Sequence, residues 1–241
     1  MENIMTYDTL HHFAYSNDRI CQKPIRGVVL SFFGLGGQDM YNGDTADGLF
    51  FAAKGILYLV PYNNPWAWMN KQAVSYTDEL VDLLINHYHL SPNIPIVSTG
   101  GSMGGQSALT YMVYARHTPI ACIANCPVCD LPFHYTERDD LPRTLYSAFY
   151  YEKGSVSEVL QSASPIHLIE KMPEADYIIF HCEKDLAVNK ENHSDLFVAG
   201  MREQGHRVIY HTVPERGHCD LPENMWALYN DYAVNAVLAR R

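Results

Sequence analysis

The run Gly100-Gly101-Ser102-Met103-Gly104-Gly105 sets a serine between glycines two positions away on either side. An apolar stretch, Ile94 to Thr99, leads into it, and a helical pattern from Gly105 to Arg116 leads out. A serine on such a strand–turn–helix elbow stands its hydroxyl at the top of the sheet, at the positive end of a helix. The chemistry open to it there is nucleophilic attack. Glycine at the flanking positions lets strand and helix approach closely. Two other readings fit the bare residues: a glycine-rich helix start capped by Ser102, and a phosphate cradle. The second lacks both the Lys-Ser/Thr of a P-loop and the G-x-G-x-x-G of a dinucleotide fold.

A serine nucleophile needs a base, and histidine titrates closest to neutrality. The chain has twelve histidines. His218 lies in a loop, Pro214-Glu215-Arg216-Gly217-His218-Cys219, after the last strand pattern, Val208 to Val213. His211 falls inside that strand and His206 just before it, where neither should reach Ser102. A separate loop follows Tyr177 to His181 and offers Glu183 and Asp185 as acids.

Together these segments resemble the α/β-hydrolase superfamily, in particular small esterases and the catalytic domain of the prolyl oligopeptidase group, from about Gly27 to the end. The resemblance implies a chain order of Ser, acid, His. Cys182 to Val188 is similar to the family pattern G-x-x-D-x-x-V, with Cys182 in place of glycine, which puts Asp185 rather than Glu183 in the acid position. The Gly217-His218 pair resembles the family's catalytic histidine. Ser102, Asp185 and His218 are the triad this implies, with Asp185 holding the imidazole in the needed tautomer. Phe33-Gly34-Leu35-Gly36-Gly37 resembles the family's His-Gly-x-Gly loop, with Phe33 replacing histidine. It implies the backbone N–H groups of Leu35 and Met103 as the oxyanion hole.

The elements that must position these residues alternate between short apolar runs and helical patterns. Strands are read at Gly27 to Phe33, Gly55 to Val60, Ile94 to Thr99, Ile120 to Ala124, Tyr177 to His181 and Val208 to Val213. Helices are read at Asn70 to Tyr88, Ser107 to Arg116, Asn189 to Glu203 and Glu223 to Leu238. Runs apolar throughout suit strands covered on both faces, so the fold class is α/β. It is expected to be an α/β-hydrolase fold, a mainly parallel central sheet with helices on both faces. His12 to Tyr15 adds an antiparallel edge strand. One domain, 1–241, is expected. Residues 130–164 interrupt the rhythm with prolines and aromatics and read either as a small helical cap or lid over the strand ends or as a surface excursion. Phe33, Gly34, Trp66, Trp68 and Tyr135 are the expected pocket residues, and Asp130 is either a polar end of the pocket or a helix cap.

The formal net charge of −10 argues against nucleic-acid and membrane partners. No apolar run approaches the ~20 residues that span a bilayer. No secretory leader is evident at Met1 to Leu10, so a cytoplasmic location is expected. The six cysteines are expected to be reduced thiols. Cys122, Cys126 and Cys129 have the spacing of an iron–sulfur motif, but they sit in and after a strand rather than in a dedicated loop, and read as small buried hydrophobes. No metal and no cofactor are expected. The expected activity is hydrolysis of a small-molecule ester with a short acyl group or a sugar. A peptidase of prolyl oligopeptidase type is the alternative, against which the chain offers no room for the propeller that group normally carries. A non-catalytic binding protein on the same scaffold is the third reading. Oligomeric state is not readable from the residues.

Overall fold

The computed structural model describes residues 5–239. Seven strands form one sheet in the order β1-β3-β2-β4-β5-β6-β7. They are β1 (Ala14–Ser16), β2 (Gly27–Phe32), β3 (Ile56–Pro61), β4 (Ile96–Gly101), β5 (Ala121–Asn125), β6 (Asp176–Cys182) and β7 (Val208–Val213). Every pairing is parallel except β1 with β3, which is antiparallel at the edge. The edge strand begins two residues later and ends one residue later than the sequence pattern placed it. Eight α-helices are described: α1 (Ala46–Ala52), α2 (Lys71–His87), α3 (Met103–Tyr114), α4 (Leu131–Glu137), α5 (Leu141–Phe149), α6 (Val156–Ser162), α7 (Leu196–Glu203) and α8 (Glu223–Ala239). Among the described residues no helix is long and apolar enough to cross a membrane.

Successive strand residues point to opposite faces, so the sheet divides the core in two. Leu30, Leu59 and Ile179 pack with Leu80, Leu84, Leu109 and Phe197 of α2, α3 and α7. Val29, Val97 and Ile123 pack on the other side with Phe51 of α1 and Ala233 and Val237 of α8. Cys122 and Cys129 belong to the first layer and Cys126 to the second, so the three thiols share no site.

Two helix readings change in detail. Helix α3 begins at Met103, not Ser107, because the glycine turn is already its first turn. The helix read from Asn189 starts as a π turn, Glu191–Asp195, before α7. Helix α1 had no clear signal in the sequence.

The stretch 130–164 folds as α4, α5 and α6 around its own small core. Leu131, Leu141, Leu145, Phe149 and Leu160 pack there on Trp68, Met103, Val128 and Val188. Two of those supports, Met103 and Val188, directly follow Ser102 and the acid loop, so the insertion, called the cap below, packs against the elbow and the acid loop. Asp130 is its N-cap: the side chain accepts the Phe133 N–H at 3.0 Å.

Among the described residues, the closest approach of backbone to backbone at a glycine is at the elbow. A Cβ on Gly100 would come within 2.3 Å of the Gly104 carbonyl oxygen, and one on Gly104 within 2.1 Å of the Phe32 carbonyl oxygen. Backbone cannot yield as a flexible side chain does. Gly104→Ala should therefore lower the denaturation midpoint by the equivalent of about 1–3 kcal/mol. Gly43→Ala, with nothing within 4 Å of its Cβ position, should leave the midpoint in place. Equal midpoints for the two variants in urea melts would contradict the close-packed elbow.

Candidate active site

Ser102 has φ 59° and ψ −125°, a left-handed conformation that costs a non-glycine residue roughly 1–2 kcal/mol. Hydrogen bonds hold it there. Its N–H donates to Asn125 O at 2.9 Å, and its carbonyl accepts from the N–H groups of Gln106 at 3.0 Å and Val128 at 3.3 Å. From behind, the Tyr229 hydroxyl of α8 accepts the Gly100 N–H at 2.9 Å and donates to Ile123 O at 2.9 Å. The Ser102 side chain makes no capping hydrogen bond, so it is not a mere helix cap. It opens instead onto a cavity of about 460 Å³.

The loops after β6 and β7 bring Ala187, Val188, His218 and Cys219 to the same cavity. Asp185 Oδ2 lies 2.7 Å from His218 Nδ1. The Asp185 side chain is fully buried; its Oδ1 accepts the N–H groups of Ala187 at 2.8 Å and Val188 at 3.0 Å. Burial alone would favour the neutral acid. The hydrogen bonds from His181, His218 and the Val188 N–H outweigh it and hold the carboxyl far below the usual carboxylate range. For His218, burial disfavours the charged ring, but the hydrogen bond to Asp185, with a further contribution from Cys126, raises the pKa from 6.5 to about 9. With Nδ1 committed to Asp185, Nε2 is the nitrogen left for a substrate-side proton; it lies 3.8 Å from Cys219 Sγ.

The rival residues are elsewhere. Glu183 is exposed. His211 is hydrogen-bonded to Tyr232, and the His206 ring packs on Tyr177; neither lines the cavity. Leu35 lines it, and the Gly34 Cβ position is 3.9 Å from Ser102 Cβ. Gly36 and Gly37 spend their N–H groups on Pro65 O and Gly34 O. Among the described residues those of Leu35 and Met103 have no acceptor in the protein.

Of the expected pocket residues, Gly34 and Trp68 line this cavity. Phe33, Trp66 and Tyr135 do not. Phe33 stacks on Tyr41 and faces a depression beside Tyr62 and Tyr76. Trp66 faces a depression beside Lys71 and Tyr151, whereas Trp68 is drawn inward by donating Nε1–H to Thr144 Oγ1 at 3.1 Å. Tyr135 lies about 100° around α4 from His134, and so points into a crevice with Leu145 and Tyr146 while His134 takes the cavity.

Three residues at the site were not foreseen. His134 and Arg138 come from the cap; an i, i+3 pair of His134 and Glu137 was visible in the sequence, but its direction was not. His181 is fully buried behind Asp185, with Nε2 3.4 Å from Asp185 Oδ2 and 3.2 Å from Val188 O, and Nδ1 2.7 Å from Ser194 Oγ. Among the described residues, three groups bring their ligating atoms within 4.8 Å of one another: Cys126 with His218 and Cys219, Cys126 with His181 and Asp185, and His134 with Glu137 and His193. In the second, both nitrogens of His181 are already hydrogen-bonded.

The fold and the site define an α/β-hydrolase. The sequence profile of the prolyl oligopeptidase family matches residues 65–239, and the chain belongs to that family of serine hydrolases. Among solved structures, it is similar to a puromycin-hydrolysing peptidase from Mycobacterium tuberculosis (11% identity, TM-score 0.72), covering 90% of this chain and 34% of that one. It is also similar to the esterase Est2 from the planctomycete Thermogutta terrifontis (20%, TM-score 0.64, 94% and 86% covered). A third is an S-formylglutathione hydrolase from Agrobacterium tumefaciens (14%, TM-score 0.65, 88% and 83% covered). The chain spans about a third of the length of the puromycin-hydrolysing enzymes it resembles. A comparison with curated proteins returns no match.

Two outcomes follow from the acid–base geometry. A base must be deprotonated to work, so kcat/KM on an activated ester should rise with pH through an apparent pKa above 6.5, toward about 9. A plateau already reached at pH 6.5 would contradict this. His181→Phe removes the imidazole that stands 3.4 Å from the buried Asp185 carboxylate and is bonded to the Val188 carbonyl of its loop, leaving the acid less well held. It should lower kcat about 10- to 100-fold with KM little changed, in protein with native circular dichroism.

Proposed function

We propose that the chain cleaves a carboxylic ester of a small molecule by acyl transfer from Ser102 to water. The observation that carries this reading is the 2.7 Å contact of Asp185 with His218, beside the same cavity onto which the strained Ser102 opens. Ser102 Oγ attacks the ester carbonyl while His218 Nε2 takes its proton. Asp185 keeps Nδ1 protonated and stabilises the imidazolium that forms. The N–H groups of Leu35 and Met103 donate hydrogen bonds to the carbonyl oxygen as negative charge develops on it. His218 then returns its proton to the leaving alkoxide. Water, deprotonated by the same nitrogen, attacks the acyl-enzyme; the bond to Ser102 Oγ breaks, His218 returns the proton to Oγ, and the acid is freed. The chemistry asks no metal or organic cofactor of these residues. The cavity of about 460 Å³ is in the range of small-molecule sites, about 300–1,000 Å³, which supports a small substrate.

Peptide or aminoacyl-amide cleavage is the second reading, favoured by membership of the prolyl oligopeptidase family. The same nucleophile, base and oxyanion donors serve both bonds. One panel separates them: p-nitrophenyl esters of rising acyl length, acetylated sugars, and proline-containing dipeptide amides, with Ser102→Ala as the blank. Short esters should turn over, and Ser102→Ala should reduce the rate at least ~10³-fold. Amides cleaved in preference to esters would favour the peptidase. A folded protein silent on the whole panel would favour a binding role.

A further inference from the structure

The cap presents to the cavity one buried side chain that the proposed chemistry does not use. His134 is 2% exposed and lines the cavity with Ser102. Its Nδ1 is 2.5 Å from Glu137 Oε2, and the same oxygen is 2.8 Å from His193 Nε2. His193 Nδ1 accepts the backbone N–H groups of Cys129 and Asp130, each at 3.1 Å. A ring nitrogen that accepts cannot carry a proton, so the His193 proton sits on Nε2 and is donated to Glu137. Glu137 is anionic: burial opposes the charge, but the two histidine hydrogen bonds outweigh it and bring the pKa down to about 2. It therefore accepts from His134 Nδ1–H as well.

These bonds decide two points. Both imidazole protons point at Glu137, so neither ring offers a lone pair to the centre of the cluster, and a metal ion has no coordinating nitrogens there. His134 is also fixed as the Nδ1–H tautomer, with the lone pair on Nε2. Burial lowers its pKa, so the ring is neutral at neutral pH. Among the described residues Nε2 has no hydrogen-bond partner, yet it is not one of the unpartnered atoms sealed from solvent. The opening available to it is the cavity.

The charge of the cavity narrows what could meet it. Arg138, just past α4, adds a guanidinium, which pairs with Asp140 at 2.9 and 2.6 Å. No acidic side chain among the described residues lines the cavity. An ammonium group would find no carboxylate lining the cavity to pair with. An alkyl group would leave Nε2 desolvated and unpaired. A neutral hydroxyl satisfies it.

We propose that His134 Nε2 accepts a hydrogen bond from a substrate hydroxyl, and that the substrates are small esters bearing a free hydroxyl, such as partly acylated sugars or polyols. This deepens the ester-cleaving reading and rests on it for the reaction, though not for binding. The test compares glycerol monoacetate with propyl acetate, which is similar in size and lacks the hydroxyls. The wild-type chain should favour glycerol monoacetate by about tenfold in kcat/KM. His134→Phe should bring that ratio close to one, mainly through KM. His134→Gln, whose amide oxygen can accept, should restore part of it. A wild-type ratio near one would overturn the proposal. So would a ratio that survives His134→Phe in natively folded protein, or a preference for alanine esters with a free ammonium.

Ligand-detected NMR on Ser102→Ala separates this from the reaction. If wild type cleaves no ester, but Ser102→Ala binds glycerol monoacetate and loses it on adding His134→Phe, the hydroxyl contact of His134 stands and the ester-cleaving reading falls, and with it esters as the substrates. A folded chain that neither cleaves nor binds glycerol monoacetate would overturn the proposal.

Discussion

At the end of β4 the backbone passes so close to α3 and to the end of β2 that no side chain fits between them. Positions 100 and 104 must be glycine, because a Cβ at either would lie 2.1–2.3 Å from a carbonyl oxygen. The same contact leaves Ser102 no room for an ordinary conformation, and φ is forced to 59°. The strain, roughly 1–2 kcal/mol, is offset by the bonds of Ser102 to Asn125, Gln106 and Val128 and by Tyr229 clamping Gly100 from α8. The hydroxyl then has one direction open to it, into the cavity. All else at the site is brought to this point by the parallel sheet, which delivers the segments after β2 to β7 to one edge.

Two carboxylates flank that cavity, and each is kept ionised by two imidazoles. Asp185 is held by His218 and His181; Glu137 is held by His134 and His193. The outcomes differ because the balance of burial and pairing differs. His218 is raised above its ordinary pKa by Asp185, which suits it to take up a proton. His134 is lowered because burial dominates, which suits it to remain a neutral acceptor. The backbone N–H groups make the difference on the acid side. Val188 and Ala187 add to the anionic Asp185, whereas Cys129 and Asp130 donate to His193 and fix which nitrogen keeps its proton.

The residues legible in the sequence were those with a local reason for their type. The elbow glycines, Ser102 and the strand before it follow from steric demands within a few residues, and the buried strands follow from unbroken apolar runs. Asp185 and His218 were legible through the resemblance of their loops to a known family, and they meet at 2.7 Å. What could not be read was direction. Trp66 and Trp68 are of one type two positions apart, and only the hydrogen bond to Thr144 in the cap decides which of them faces Ser102. Tyr135 was the conspicuous aromatic of the cap, but its neighbour His134 takes the cavity face of α4. His181 sits in an apolar strand and looks like core until the loop folds Asp185 back onto it.

The most direct test of the account is the site and stoichiometry of covalent labelling by a fluorophosphonate, read by intact mass and peptide mapping in wild type and in His218→Ala. Activation of Ser102 by His218 and Asp185 predicts one adduct per chain, on Ser102, formed rapidly in wild type and at least ~10³-fold more slowly without the imidazole. A folded wild-type chain that stays unlabelled, carries the adduct on another residue, or labels equally fast without His218 would contradict it.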